Sequence, residues 1–471
     1  MRAMMILNEL KQKWNKKYQC VPMQFKKLKT IPAAASGFNT NIDAVLKVDG
    51  KTLEKLITQY HISTAELNDI RLSGFRRPED VILGIVKCFS KGIAEEWVSD
   101  DVGLYQWLSQ NLGYHHLQMG GQGGIIANVL ALLGVQKVIA HTNSHPAMQA
   151  QQFLDLDNLQ ALDEHGALKK AVEIARAGDT PLIHWIIEFD KGDRFTAERQ
   201  EFVCPKSNRF IATYDPMNMN LVIDENFISY LNNHKVAYLL LSGFHPLLSS
   251  NNGIEHIKKA VPIIKQWQQH NPEMIMHLEI ASTQDKAIRQ AIVEHIAPLM
   301  TSAGLNERET IDLLEICGKA DLAALIEKET TACHLFDAIL YLKQKLGVAR
   351  LQLHMFGLYL TIQDERYPFS AQKNLKGMMT AAVVSSSKAL NGALQKYDDL
   401  MITQGNGVSD VGLKELSALA EKLNKPELLQ DGVCKLGDVY VSAVPTILVD
   451  KPKTLVGMGD TISSVSLLAG C

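Results

Sequence analysis

The second half of the chain alternates short apolar runs with longer amphipathic stretches. Val236–Phe244 (VAYLLLSGF) reads as a buried strand, Ile254–His270 has helical spacing, and Met274–Ala281 (MIMHLEIA) reads as a strand again. The pattern continues with helices around Ala287–Met300 and Thr331–Leu346, a strand in Val348–Ile362, and an Ala/Ser/Met-rich helix near Ala371–Leu390. Val439–Val449 is extended, and a helix after Gly459 closes the chain. Strand-length apolar runs separated by helix-length segments predict βαβ units and a mostly parallel sheet covered on both faces. The first half differs. Ile183–Phe189 (IHWIIEF) and Arg209–Tyr214 (RFIATY) are β-rich and aromatic, with a polar loop between them, as in antiparallel strands of a smaller sheet. The expected architecture is α/β: a large body from about 1–40 and 215–471 with part of 120–175, and a small β-rich lid from about 41–120 and 176–214. The opening MRAMMILNELKQKWNKK reads as an amphipathic helix rather than a signal peptide.

Composition narrows the function. Of 471 residues, 46% are hydrophobic and 21% charged, with a formal net charge of −3, so a full core can be buried. That balance, without a basic run, argues against nucleic acid as a partner. No stretch approaches the roughly 20 apolar residues of a membrane span. The seven cysteines (Cys20, Cys88, Cys204, Cys317, Cys333, Cys434 and Cys471) never fall in C-x-x-C spacing, which points to reduced thiols and a cytoplasmic location.

Five segments carry candidate chemistry. Gly457-Met458-Gly459-Asp460-Thr461 lies between a predicted strand and the terminal helix. Glycine permits a tight turn and close approach to a phosphate, and a helix start offers unpaired N–H groups. Asp460 there is either a helix cap or a base that takes a proton from an attacking hydroxyl. Asn306-Glu307-Arg308-Glu309 has the spacing of a capping box, while Glu309 is also a candidate for ordering magnesium through water. His277 and Glu279 share one face at the end of a buried strand, where Glu279 needs a partner or a metal. Gly37–Ala44 (GFNTNIDA) is either an Asx-turn or a source of hydrogen bonds for sugar hydroxyls. Gly120-Gly121-Gln122-Gly123-Gly124 marks a tight turn into a helix and lacks the register of a dinucleotide-binding loop, which sets aside a nicotinamide dehydrogenase.

In their joint order these segments resemble the ADP-dependent sugar kinases, the archaeal-type glucokinases and phosphofructokinases with a ribokinase-like fold. The resemblance covers most of the chain. It rests on NIDA at Asn41–Ala44, GGQGG at Gly120–Gly124, IHWIIEF, SNRFI at Ser207–Ile211, LSGFH at Leu241–His245, HLE at His277–Glu279, NERE at Asn306–Glu309, VPT at Val444–Thr446 and GMGDTISS at Gly457–Ser464. It implies Asp460 as the base and the N–H groups of Gly457, Met458 and Gly459 as the anion hole. It implies Arg209 reaching toward phosphate, and Glu279, Glu309 and Asn306 organising Mg2+. It implies Asn41, Asp43, Gly121 and Gln122 around the sugar, and the segment from His354 to Tyr359, with Val444 and Ile447, beside the adenine. ADP as donor, leaving AMP, comes from the resemblance alone; an ATP-dependent ribokinase-type enzyme is the alternative. For the acceptor, Glu96 in Gly92–Trp97 suits glucose hydroxyls. Arg176, Lys191, Arg194, Lys206 and Arg209 suit a sugar phosphate. As a group these cations favour fructose 6-phosphate, with glucose as a second substrate.

Overall fold

The computed structural model describes residues 2–72 and 74–470, with side chains from residue 7 onward; Cys471 lies outside it. An eleven-stranded sheet forms the body. Its strands run in the spatial order Val433–Leu436, Val439–Pro445, Leu358–Gln363, Arg350–Met355, Ser302–Leu305, Ile275–Glu279, Tyr238–Leu241, Ala34–Gly37, Val138–Ala140, Leu159–Leu162 and Leu168–Lys170. From Arg350–Met355 to Leu159–Leu162 every neighbouring pair is parallel. Helices lie between these parallel strands in sequence, as the alternating pattern predicts, whereas the outer strands pair as antiparallel hairpins.

The expected single strand in Val348–Ile362 is instead an antiparallel hairpin. Arg350–Met355 turns at Phe356–Gly357 into Leu358–Gln363, with Gly357 at φ 85°. An apolar run interrupted by one glycine hides the turn, because both arms are buried throughout. The expected helix near Ala287–Met300 breaks into an α-helical piece, Lys286–Ala291, then a wider turn and a 3₁₀ turn over Ala297–Leu299, where Pro298 cannot donate a helical hydrogen bond. The N-terminal helix Arg2–Tyr18 buries Leu10, Trp14 and Tyr18 at helical spacing.

A second sheet has the order Glu95–Ser99, Asn208–Tyr214, Ile183–Phe189, Asn41–Lys47, His116–Gly120. Ile183–Phe189 pairs antiparallel with Asn208–Tyr214, while the outer pairings make the sheet mixed. A hairpin of Arg194–Ala197 and Gln200–Val203 sits beside it. Two hydrophobic cores follow. One packs both faces of the large sheet. The other lies under the small sheet, built from Ile42, Leu46, Val81, Phe89, Trp97, Trp185 and Phe210 among others. The chain passes between them at Asn39–Asn41, Gly120–Gln122, 175–182 and Tyr214–Asp215, and the first two crossings line a cleft.

No described helix is long and apolar enough to cross a membrane. The six described cysteines are free thiols.

Candidate active site

The terminal helix Met458–Ala469 starts at the floor of the cleft. Gly457 precedes it at φ 61°, a left-handed conformation that favours glycine, and a Cβ there would lie 2.6 Å from Ile125. The first bond of the helix runs from Thr461 N–H to the Gly457 carbonyl (3.1 Å), so the N–H groups of Met458 and Gly459 have no partner within the helix. Asp460 is not the cap, since Gly457 occupies that position. Asp460 is buried, and Gln122 Nε2 donates to its Oδ1 (2.9 Å). Burial raises the Asp460 pKa, opposed by Gln122 and by the charge of Lys388.

Gln122 opens the helix Gln122–Leu132, which packs close to the crossing strand. The N–H of Gly123 donates to Asn39 O (2.8 Å), and a Cβ at Gly121, which has φ 71°, would stand 2.6 Å from that oxygen. The glycines of GGQGG thus serve a close backbone crossing that aims Gln122 at Asp460. Gln122 Oε1 accepts from Gly243 N–H (3.2 Å), so both ends of this side chain are held.

Above Asp460 lies a cavity of about 160 Å³, lined by Asn39, Asn41, Asp43, Glu96, Gly121 and Gln122, and by His184, Arg209, His245, Gly457 and Asp460 with Ile125, Ile186, Ile211 and Val456. Asn41 Nδ2 donates to Asp43 Oδ1 (3.1 Å), and Thr213 Oγ1 donates to Glu96 Oε1 (2.7 Å). Burial raises the Asp43 pKa, while His184 pulls it down. His184 Nε2 lies 3.0 Å from Asp215 Oδ2, and its Nδ1 lies 3.8 Å from Glu96 Oε1. Burial alone would lower the His184 pKa, but Asp215, Glu96 and Asp43 together raise it. Asn41 Oδ1 and His245 Nδ1 are buried without a hydrogen-bond partner among the described residues. Unpaired buried acceptors and donors beside several carboxylates suit a ligand rich in hydroxyls.

Beside the helix start, Glu279 is buried, with His277 Nε2 at 3.3 Å and His354 Nε2 at 3.7 Å. A Cβ on Gly459 would lie 3.2 Å from Glu279 Oε1, which puts this carboxylate under the first turn. Burial, then the charges of Asp460 and Glu309, push the Glu279 pKa well up. Glu309 is buried too and reaches about 8, raised first by burial. Asn306 and Glu309 form the reciprocal capping box: Glu309 N–H donates to Asn306 Oδ1 (3.0 Å) and Asn306 N–H to Glu309 Oε2 (2.7 Å). Asn306 Oδ1 is therefore used in the cap, beside the Glu309 carboxylate that shares it. Among the described residues no group of three or more His, Cys, Asp or Glu side chains is arranged to hold a metal directly. Carboxylates whose charge is opposed by burial and by one another nevertheless fit a cation reached through water.

Several expected site residues lie elsewhere. Arg176 is buried at the edge of the large sheet, bonded to Leu162 O (2.6 Å) and paired with Asp224 (3.3 Å), so it holds the body together. Arg194 pairs with Glu201 across the exposed hairpin (3.3 Å). Lys191 and Lys206 are exposed in the turns at the strand ends beyond Arg209, outside the cavity lining. Tyr359, Val444 and Ile447 are buried, and Tyr359 Oη bonds Ser385 Oγ (2.9 Å), because the helix Ala371–Asn391 covers that hairpin face. His354 turns to Glu279. The solvent-facing member of the His354–Tyr359 segment is Phe356, 67% exposed, which sequence reasoning did not single out. His184, His245 and Lys388 were missed as well. For His184 the signal is the alternation of IHWIIEF, which sets it on the face of its register partner Asp43.

A family model described as "ADP-specific Phosphofructokinase/Glucokinase conserved region" matches residues 32–469. The chain is 27% identical over 452 residues to the ADP-specific phosphofructokinase of Methanosarcina acetivorans, covering 92% of this chain and 91% of the relative. It is 28% identical over 464 residues to the ADP-dependent glucose/glucosamine kinase of Pyrococcus furiosus, covering 97% and 98%. Among solved structures it resembles the last common ancestor of ADP-dependent phosphofructokinases from Methanosarcinales, with TM-score 0.84, 28% identity and 98% of each chain covered. It also resembles an ADP-dependent kinase in complex with fructose 6-phosphate and ADPβS, with TM-score 0.81, 27% identity and 97% of each chain covered.

Proposed function

The chain belongs to the ADP-specific phosphofructokinase/glucokinase family, and from that premise we propose that it transfers a phosphoryl group from ADP to a hexose hydroxyl, releasing AMP. The observation that carries this reading is Asp460. It is a buried carboxylate on the first turn of a helix, held by Gln122 rather than capping that helix, in a cavity of sugar size. One Asp460 oxygen takes the Gln122 bond; the other accepts the proton of the attacking hydroxyl. The N–H groups of Gly457, Met458 and Gly459 hold the transferring phosphoryl, and Arg209 adds charge from the facing sheet. Positioning and charge stabilisation are what phosphoryl transfer requires. Glu279 and Glu309 would hold Mg2+ through water, where the cation neutralises phosphate charge. The nucleotide lies beside the Phe356–Gly357 turn, with Phe356 as the exposed aromatic there.

The small sheet forms a lid over the body. Asn41, Asp43, Glu96 and His184 take the hexose hydroxyls. Fructose 6-phosphate is the acceptor that Arg209, Lys191 and Lys206 favour once the lid approaches. Glu96 inside the cavity favours glucose, and both sugars are taken as substrates. The test is initial rate with ADP and with ATP against fructose 6-phosphate and glucose. Turnover with ADP and either sugar is expected; turnover with ATP alone would replace this reading by the ATP-dependent one.

A further inference from the structure

Lys388, on the helix Ala371–Asn391, has no role in the scheme above. Its ammonium donates to the Gly457 carbonyl (3.1 Å) and lies 3.2 Å from Thr461 Oγ1. The Gly457 carbonyl is already satisfied without it, because Thr461 donates to it through both its N–H (3.1 Å) and its hydroxyl (2.7 Å). Withdrawing an ammonium group from water merely to add a third donor is costly. The carboxylates that act on it through space are Asp460 and Asp43, two of the three that line the sugar cavity. The helices carrying Lys388 and Asp460 pack closely along their length, since a Cβ on Gly377 would fall 2.2 Å from Ser466 O. Burial brings its pKa to about 8, while Asp460 and Asp43 pull it upward.

We infer that Lys388 is a positioning residue for phosphoryl transfer. By clamping Gly457 and Thr461 from behind, it fixes the left-handed turn that aims the N–H groups of Gly457–Gly459 into the cleft, and it adds a fixed positive charge to that anion site. The inference rests on the proposed roles of Asp460 and the helix start. Fixed dipoles and charges aimed at developing phosphoryl charge act on the transition state more than on bound substrate, so the effect belongs in kcat.

Lys388→Met keeps the apolar stem and removes the charge and both hydrogen bonds. With ADP and hexose at saturation, kcat is expected to fall roughly 10–100-fold, with KM for the hexose within about twofold, an effect smaller than that of deleting a direct donor. Its melting temperature should match or exceed the parent's, because a partly buried charge is gone. Lys388→Ala opens space toward the neighbouring cavity of about 270 Å³, which Lys388 also lines with Gln118, Asn128 and Thr454. Ethylammonium should therefore restore its rate saturably, while sodium chloride at equal ionic strength does not. A parental kcat in Lys388→Met, a raised KM at unchanged kcat, or a rate loss that ethylammonium leaves untouched would each overturn the inference. Asp460→Asn run in parallel separates the two levels. If Asp460→Asn stays active, the reading of the whole site fails; if it collapses while Lys388→Met is normal, only the role of Lys388 fails.

Discussion

At the scale of single residues, Asp460 and His184 are two buried ionisable groups with opposite dependences on pH. Asp460→Asn keeps an oxygen for Gln122 Nε2 but cannot take a proton, so kcat should fall by roughly 10²–10⁴ with the fold intact. Because burial raises the Asp460 pKa, the parent should lose activity on acidification from above the ordinary aspartate range; an acid limb at or below that range would contradict it. His184 behaves the other way for stability. Its folded pKa is raised by Asp215, Glu96 and Asp43 against the effect of burial. Its pairing with Asp215 (3.0 Å) therefore stabilises the fold fully below the ordinary histidine value and fades as pH rises through the raised one. Denaturant unfolding of the parent should show that alkaline loss, and His184→Gln should flatten it; an unchanged slope would remove His184 from the account. These residues also mark what the sequence could tell. Asp460 stood out because glycines flank it before a helix. His184, inside an aromatic strand, looked like core, since only the register against Asp43 shows which face it takes.

At the scale of elements, a helix cap and a buried carboxylate coincide at one helix start. Asn306–Glu309 is a capping box in full geometry, and Glu309 is still a buried carboxylate that Asp460 acts on. Glu309→Gln can keep the cap, since Gln serves in a capping box. We expect near-parental melting and weakened activation in a magnesium titration; overlaid titration curves would restrict Glu309 to the helix end. The glycine-rich entry of Gln122–Leu132 makes the complementary point. An alanine at Gly121 meets both a positive φ and Asn39 O, so Gly121→Ala should cost more than about 1 kcal/mol and disturb the Gln122–Asp460 bond. A parental melting curve would mean the crossing can relax. Helix and strand types were legible from periodicity. The hairpin at Phe356–Gly357 was not, and with it went the face on which Tyr359 and Val444 lie, since one unseen turn changes which side chains reach the surface.

At the scale of the whole molecule, two cores joined by short crossings leave the sugar cavity between a small sheet and the start of the terminal helix. The parallel centre of the large sheet followed from the alternation of strands and helices; its strand order did not. Which cations share a surface did not, because sequence proximity on neighbouring strands says nothing about the turns and hairpins that carry them apart. Arg176 and Arg194 are spent on Asp224 and Glu201, which leaves Arg209 in the cavity and Lys191 and Lys206 just beyond it at the strand ends. A phosphosugar is read by those two lysines only if the lid moves toward the body. Closure on substrate should lower the radius of gyration in small-angle scattering when hexose and nucleotide are both saturating. If it does, Lys191→Ala and Lys206→Ala should raise KM for fructose 6-phosphate and spare glucose, whereas Glu96→Ala, which removes an acceptor already facing the cavity, should raise KM for glucose alone. Compaction with unchanged fructose 6-phosphate kinetics in both lysine variants would assign the sugar phosphate to Arg209. An unchanged radius would leave the lysines as solvated surface, and glucose as the acceptor that the cavity itself selects.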